Sequence, residues 1–152
     1  MDLNLQFPAG WDQAREIKFA QCFTKPAPRD YVGLVPLIAT EARALYNFTL
    51  SHNFDKVLAY HTQGKVIYWQ FQNYTPAESQ FIVNEFARVS GYSPEDTPYD
   101  SSFAGYKDWF ILTFRRPGFT IEAGLGESPL PISQFDEIFR DNLGILILAA
   151  II

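Results

Sequence analysis

The chain has 152 residues, 12 Lys and Arg against 17 Asp and Glu, a formal net charge of −5, and 47% hydrophobic with 19% charged residues. That balance fits one globular domain with a sizeable core and excludes a disordered chain, while the acidic sum and scattered cations leave no footprint for nucleic acid. Cys22 is the only cysteine, which excludes an internal disulfide and a cysteine-cluster metal site; it reads as a small buried hydrophobe.

Met1 runs into "DLNLQFPAGW" with neither a basic nor an apolar stretch, so no signal peptide is expected and the chain reads as cytoplasmic. Thr40 to Ser51 has helical character, with Ala42, Leu45, Tyr46 and Thr49 on one face. "KVLAYH", Lys56 to His61, is short and apolar and ends at "TQG", as a buried strand does; "VIYWQF", Val66 to Phe71, is β-branched and aromatic and reads as the next strand. In "TPAE", Thr75 stands as cap, Pro76 at the first helical position and Glu78 three residues after the cap, a capping box for a helix running to about Val89 and closed by Gly91. Gly91 to Ser102 is Pro- and Asp-rich and reads as a loop. "YKDWFILTF" fits a strand or a short helix equally, and "GFTIEA" is a strand. "SQFD", Ser133 to Asp136, resembles a second capping box, followed by Phe135, Phe139, Leu143, Leu146 and Ala150 along one apolar face. The tail Leu143 to Ile152 is half of the ~20 residues a membrane span needs, so it is expected to be the buried end of a helix. Strands alternating with helices give an α/β class, with no repeat, low-complexity tract or domain linker.

Polar residues at strand ends are where α/β sheets carry chemistry. In "RRPGFTIEAGLGESPLP" the strand Phe119–Ile121 ends on Glu122, followed by the small residues Ala123 and Gly124. An unpaired carboxylate in an apolar setting costs several kcal/mol unless it is neutralised or partnered. His61 closes "VLAYH" in the same manner. Each has a bland account: a histidine with satisfied ring nitrogens, and a glutamate paired with Arg115 or Arg116. His52 and Asp55, spaced as His-x-x-Asp, lie where a helix breaks into a strand and are set aside as metal ligands. Residue patterns alone therefore reach an α/β domain with a candidate His/Glu site.

Four stretches, "DLNLQFPAGW", "KPAPRDYVG", "LAYHTQGKVIYW" and "GYKDWFILTFRRPGFTIEAG", resemble the zinc carboxypeptidase family over nearly the whole chain. Within it the chain is most similar to the bacterial branch that cuts γ-D-glutamyl–diaminopimelate bonds in murein peptides. The resemblance implies a partial three-layer, carboxypeptidase-like mixed sheet with flanking helices, zinc as cofactor and a murein-type peptide as substrate. It makes His61 a zinc ligand and Glu122 the general base, which accepts a proton from water acidified by the metal and delivers it to the leaving amine.

The same resemblance aligns Asn4 with an asparagine that binds the substrate's terminal carboxylate. Leu5 stands where true carboxypeptidases commonly carry arginine, a departure that favours the murein-peptide branch. Tyr99 lies closest to the spacing of the family's mobile tyrosine, with Phe103 and Tyr106 as alternatives and packing as the bland role. Counting back from Glu122, Lys107 falls at the floor of the pocket for the side chain after the cut bond, where a cation suits the second carboxylate of diaminopimelate; the bland account is a solvated lysine tied to Asp108. The family's first two zinc ligands, a His-x-x-Glu pair, and its oxyanion arginine have no match here. By resemblance, then, residues 1–152 read as the C-terminal half of a catalytic domain. The chain alone is expected to hold zinc weakly and to self-associate through exposed edges, with a metal-free peptide-binding module or an inactive remnant as the alternatives.

Overall fold

A computed structural model describes all residues, 1–152. Its elements are α1 (Trp11–Ala20), α2 (Thr40–Leu50), β1 (Val57–His61), β2 (Val66–Tyr68), α3 (Ser79–Ser90), β3 (Ser93–Glu95), α4 (Tyr106–Phe114), β4 (Gly118–Glu122) and α5 (Phe135–Ile151). The sheet has the order β1-β4-β2-β3. β1 runs parallel to β4 and β2 parallel to β3, whereas β2 and β4 are antiparallel, so the sheet is mixed as expected.

Alternation along the strands divides the residues between two faces. Phe119 and Ile121 of β4 and Ile67 of β2 point to one side, where they pack with Ile82, Val83 and Phe86 of α3 and Ile145 of α5. Gly144 lets α5 close on α3, since a Cβ there would stand 2.8 Å from the Cβ of Val89. A second core, on Phe7, Trp11, Val32, Trp109 and Ile111, joins α1 and the N-terminal segment to α4. α4 touches both β1 and β4, and a Cβ at Gly118 would come within 3.2 Å of Ile111 and of the Lys107 stem. Helix, sheet and helix form three layers, with α3 and α5 behind and α4 in front.

Several local expectations change. "YKDWFILTF" is the helix α4, with Lys107, Asp108, Trp109, Phe110 and Ile111 all buried; a helix covered on every side carries no amphipathic stripe to separate it from a strand. Neither capping box forms. α3 starts at Ser79, after a turn in which its N–H bonds to the Pro76 carbonyl at 3.0 Å, and Thr75 caps nothing. Ile132–Gln134 form a 3-10 turn before α5, and Gln134 bonds both backbone groups of Leu125 in place of a cap by Ser133. The loop after Gly91 contains β3 and a 3-10 turn at Tyr99–Ser101, and β2 stops at Tyr68. α1, not anticipated from sequence, starts from Gly10 without a side-chain cap and buries only Trp11, Ala14 and Lys18.

The largest correction concerns α5. Phe135, Phe139, Leu143 and Leu146 are exposed, and the helix docks through Asn142 and Ile145 instead. No helix is long and apolar enough to cross a membrane. Cys22 is exposed and free, not buried as expected.

Candidate functional site

The parallel register of β1 and β4 sets His61 directly opposite Glu122 at the C-terminal ends of both strands. Neighbouring strands lie about 4.8 Å apart, and residues in register project to the same face, so the two side chains leave the sheet side by side. The face is the one not packed on α3 and α5, shared with Ala59, Thr120 and Tyr68.

Glu122 does not take the arginine partners suggested for it. Arg115 stacks on the Tyr74 ring, 3.8 Å from its centroid, and Arg116 donates to Asn53 Oδ1 and the Phe54 carbonyl. Burial pushes the Glu122 carboxyl above the usual range, opposed only through space by Arg29. Burial likewise lowers the pKa of His61, against the pull of Asp2, which favours the neutral imidazole whose lone pair can ligate a metal. His52, by contrast, has Nδ1 within bonding distance of Ser51 Oγ and the Phe48 carbonyl, and its ring lies against Phe54.

Two hollows meet at Asn4. An apolar groove of about 520 Å³ runs past His61, Val57, Phe7, Leu45, Phe48 and Tyr106. A polar cavity of about 170 Å³ holds Glu122, Thr120, Tyr68, Lys107, Asp108 and Thr97, and Asn4 borders both. Asn4 Oδ1 accepts from the Tyr106 N–H at 3.2 Å, so its amide NH2 is the group it can offer a ligand.

Behind Glu122 the chain is anchored from the far side of the sheet. The Tyr92 hydroxyl accepts from Asn142 Nδ2 of α5 at 2.9 Å and from the Gly124 N–H at 3.4 Å.

A sequence model of the family described as zinc carboxypeptidase matches residues 1–144. The chain belongs to the zinc carboxypeptidase family. It is 54% identical over 147 residues to gamma-D-glutamyl-L-diamino acid endopeptidase 1 of Lysinibacillus sphaericus, covering 97% of this chain and 36% of that protein. It is 39% identical over 146 residues to the uncharacterized protein YqgT of Bacillus subtilis (strain 168), covering 96% and 38%. The structure of bovine thrombin-activatable fibrinolysis inhibitor in complex with tick carboxypeptidase inhibitor superposes with a TM-score of 0.72 at 16% identity, over 97% of this chain and 55% of that one; it shows the shared fold. The chain thus spans under two-fifths of the length of the curated relatives it matches.

The remaining candidates separate. Lys107 borders the Glu122 cavity with its side chain 4% exposed, so it is not the solvated lysine of the bland account. Its ammonium donates to the Gln70 carbonyl and to Thr97 Oγ1 and sits 2.9 Å from Asp108 Oδ1. Gly118 of β4 leaves room for the Lys107 stem to cross. Tyr99 is 61% exposed, stands edge-on to Phe103, and borders an adjoining hollow that shares Thr97 with the Glu122 cavity. Phe103 is buried in the front core, and Tyr106 lies within 2.9 Å of Thr49 Oγ1 at the apolar groove.

Of the cavity's other members, Tyr68 is absent from the sequence candidates, and Asp108 enters them only as the partner of Lys107. Tyr68 pairs with Thr120 across the antiparallel β2–β4 ladder. Its phenol is held protonated above the usual range by burial, then by Glu122 and Glu95. The alternation of "VIYWQF" carries the signal: Val66 and Tyr68 share a face opposite to Ile67.

A catalytic zinc takes three protein ligands and keeps one position open. No cluster of three or more His, Cys, Asp or Glu side chains here could hold a metal ion. The residues of this chain do not by themselves fit the ion.

Proposed function

We propose that the chain supplies the proton-transfer and substrate-binding side of a zinc carboxypeptidase-type centre that hydrolyses peptide bonds of murein peptides, of the γ-D-glutamyl–diamino acid kind. The observation that carries the proposal is the register pairing of His61 with an unpaired, half-buried Glu122 beside a polar cavity. The printed activity of the Lysinibacillus relative supports the bond type.

His61 would be this chain's contribution to holding zinc, together with ligands from outside this chain, and the ion so held would supply Lewis acidity. Glu122 holds and moves the proton: its raised affinity suits it to accept one from water and to return it to the departing amine. Asn4 offers its amide NH2 to the substrate from the wall between the two hollows. Tyr99 is our candidate for the family's mobile tyrosine, supported by its exposure and by a hollow that shares Thr97 with the cavity. Lys107, buried and ion-paired with Asp108, lines the same cavity.

A chimera tests the proposal: this chain replaces the matching 147 residues of the Lysinibacillus endopeptidase. It is expected to bind zinc and hydrolyse a γ-D-glutamyl–diaminopimelate peptide. Glu122→Gln should keep the zinc and lose at least ~10²-fold in rate, whereas His61→Ala should lose the zinc. The isolated chain should hold far less than one zinc per molecule by equilibrium dialysis. A folded, zinc-loaded chimera without activity refutes the proposal.

A further inference from the structure

The two edges of the sheet differ. At one edge β3 is three residues long and reads Ser93-Pro94-Glu95, so a proline and a charge blunt it against further pairing. At the other edge "VLAYH" of β1 has five residues with no proline, lysine or carboxylate, and no bulge in its ladder with β4. The Val57 N–H bonds to the Pro117 carbonyl, and the His61 carbonyl accepts from the Ala123 N–H. Successive residues of a strand turn their backbone groups to opposite sides. Val57, Ala59 and His61 therefore face β4, and the N–H and C=O of Leu58 and Tyr60 point away from the sheet.

The layer behind is open on the same side. α3 packs against β3 and meets α5 where Gly144 approaches Val89, so α5 covers the β1 side. Lys56, just before β1, donates to the Ala149 carbonyl near the end of α5. Lys65, at the far end of the strands, pairs with Glu137 and Asp141 near its start. Ala59, between the two lysines, thus lies under the middle of the helix. On the 3.6-residue period Phe135, Phe139, Leu143 and Leu146 occupy the flank of α5 opposite Gly144, and each is 41–58% exposed. That flank faces outward past β1, beside Leu58 and the exposed Tyr60. In front, the apolar groove borders Val57 and Ala59 of the same strand.

We propose that this edge binds a second copy of the chain, with β1 pairing antiparallel to the partner's β1 about a twofold axis at Ala59. The proposal concerns assembly and does not rest on the peptidase reading. In that register Leu58 stands opposite the partner's Tyr60, and Tyr60 opposite the partner's Leu58, so every outward backbone group of the strand is satisfied. Ala59 meets the partner's Ala59 on the axis, where paired Cα atoms come within about 4.5 Å and a methyl group fits. The axis is normal to the sheet, so both α5 helices stay behind it and run antiparallel, stripe against stripe. Packed helices lie about 8–10 Å apart, two strand spacings of ~4.8 Å, which is the step between neighbouring helices over one sheet. Asp136, in the first turn of α5, then lies toward the end of the partner's α5, where Lys56 sits. The stripe alone supplies on the order of 400 Å² of the ~800 Å² per partner that a stable interface buries, before β1 and the rim of the groove are added. Because β3 blunts the far edge of each copy, the contact closes at two, and two four-stranded sheets become one.

The test uses the whole 152-residue chain. Sedimentation velocity over about 1–100 μM should show monomer and dimer in exchange and nothing larger. Ala59→Lys sets two like charges face to face on the axis, and Phe139→Glu puts a carboxylate into the stripe; each should weaken the dimer at least about tenfold. One disulfide reads the register. With Cys22→Ser removing the only native thiol, Ala59→Cys should cross-link the dimer on mild oxidation, since Cα atoms about 4.5 Å apart are within disulfide reach. Phe81→Cys, at an exposed position on α3, is the control and should stay uncross-linked. A monomer through the whole range overturns the proposal, as do species that grow beyond two copies, a dimer that survives both Ala59→Lys and Phe139→Glu, or cross-linking no better at Ala59→Cys than at Phe81→Cys. Should Ala59→Lys fail to fold, Phe139→Glu and the two cysteine variants still decide.

Discussion

Replacing Lys107 by Met removes the only cation in contact with Asp108 while keeping much of the stem that packs beside Gly118. Both side chains of the pair are 4% exposed, so little solvent remains to screen the carboxylate left behind. Breaking a buried pair in this way costs about 3–5 kcal/mol, against roughly 0–1 kcal/mol for an exposed pair. The Gln70 carbonyl and Thr97 Oγ1 also lose a donor. With a total stability of about 5–15 kcal/mol for a typical domain, Lys107→Met should leave the fold marginal. Urea unfolding at fixed pH and protein concentration measures the loss. The double variant with Asp108→Asn removes the orphaned charge and keeps the acceptor for Gly105, so it should be more stable than Lys107→Met alone, with a coupling of about 0.5–3 kcal/mol. A loss under ~1 kcal/mol for Lys107→Met, or no recovery in the double variant, would mean that water reaches the pair freely and that the cavity is not the desolvated polar site described above.

Glu122→Gln should stabilise the chain at about pH 7 and have a diminishing effect toward about pH 4. The carboxyl is raised above 4.5 by burial, so the folded state keeps a proton that the unfolded chain has already lost; the contribution of Glu122 is whole below the unfolded value and fades as pH rises through the folded one, a penalty that glutamine escapes. Denaturation midpoints at the two pH values check the sign. The exposed Phe135, Phe139, Leu143 and Leu146 of α5, with the free edge of β1, should make the isolated chain self-associate; light scattering over a concentration series should show it, and Phe139→Glu should reduce it.

β1 and β4 were legible because each is a short apolar run closed by turn-forming or small residues, "TQG" after His61 and "AG" after Glu122. α2 was legible for the opposite reason, an ordinary helical period with Ala42 and Thr49 buried. α4 was not, since its burial on all sides erases the period on which the choice depends. The two capping boxes misled because a Ser or Thr three residues before an acid is a local cue, and the turn at Pro76 and the Gln134–Leu125 contacts satisfy the backbone otherwise. For His61 and Glu122, the residue pattern singled out two strand ends, and the family resemblance suggested their roles. Tyr68 and Asp108 join the site only through the insertion of β2 antiparallel to β4 and the seat of α4 on the sheet. Alternation in "VIYWQF" assigns Tyr68 a face, but which strand and helix meet that face leaves no mark in the spacing of residues.

The Tyr92–Asn142 link gives the back of the molecule a hold on the front. Gly124, two residues beyond the carboxylate, is tethered to the hydroxyl that α5 also grips, and α5 in turn rests on α3 where Gly144 meets Val89. A side chain at Gly144 would meet Val89, so α5 and α3 would have to shift apart, and the tether joins α5 to the Glu122 turn from outside the cavity. The end of β4 that carries Glu122 is thus tied to the packing of two helices on the opposite face of the sheet, so that the position of one strand end depends on contacts made outside the cavity.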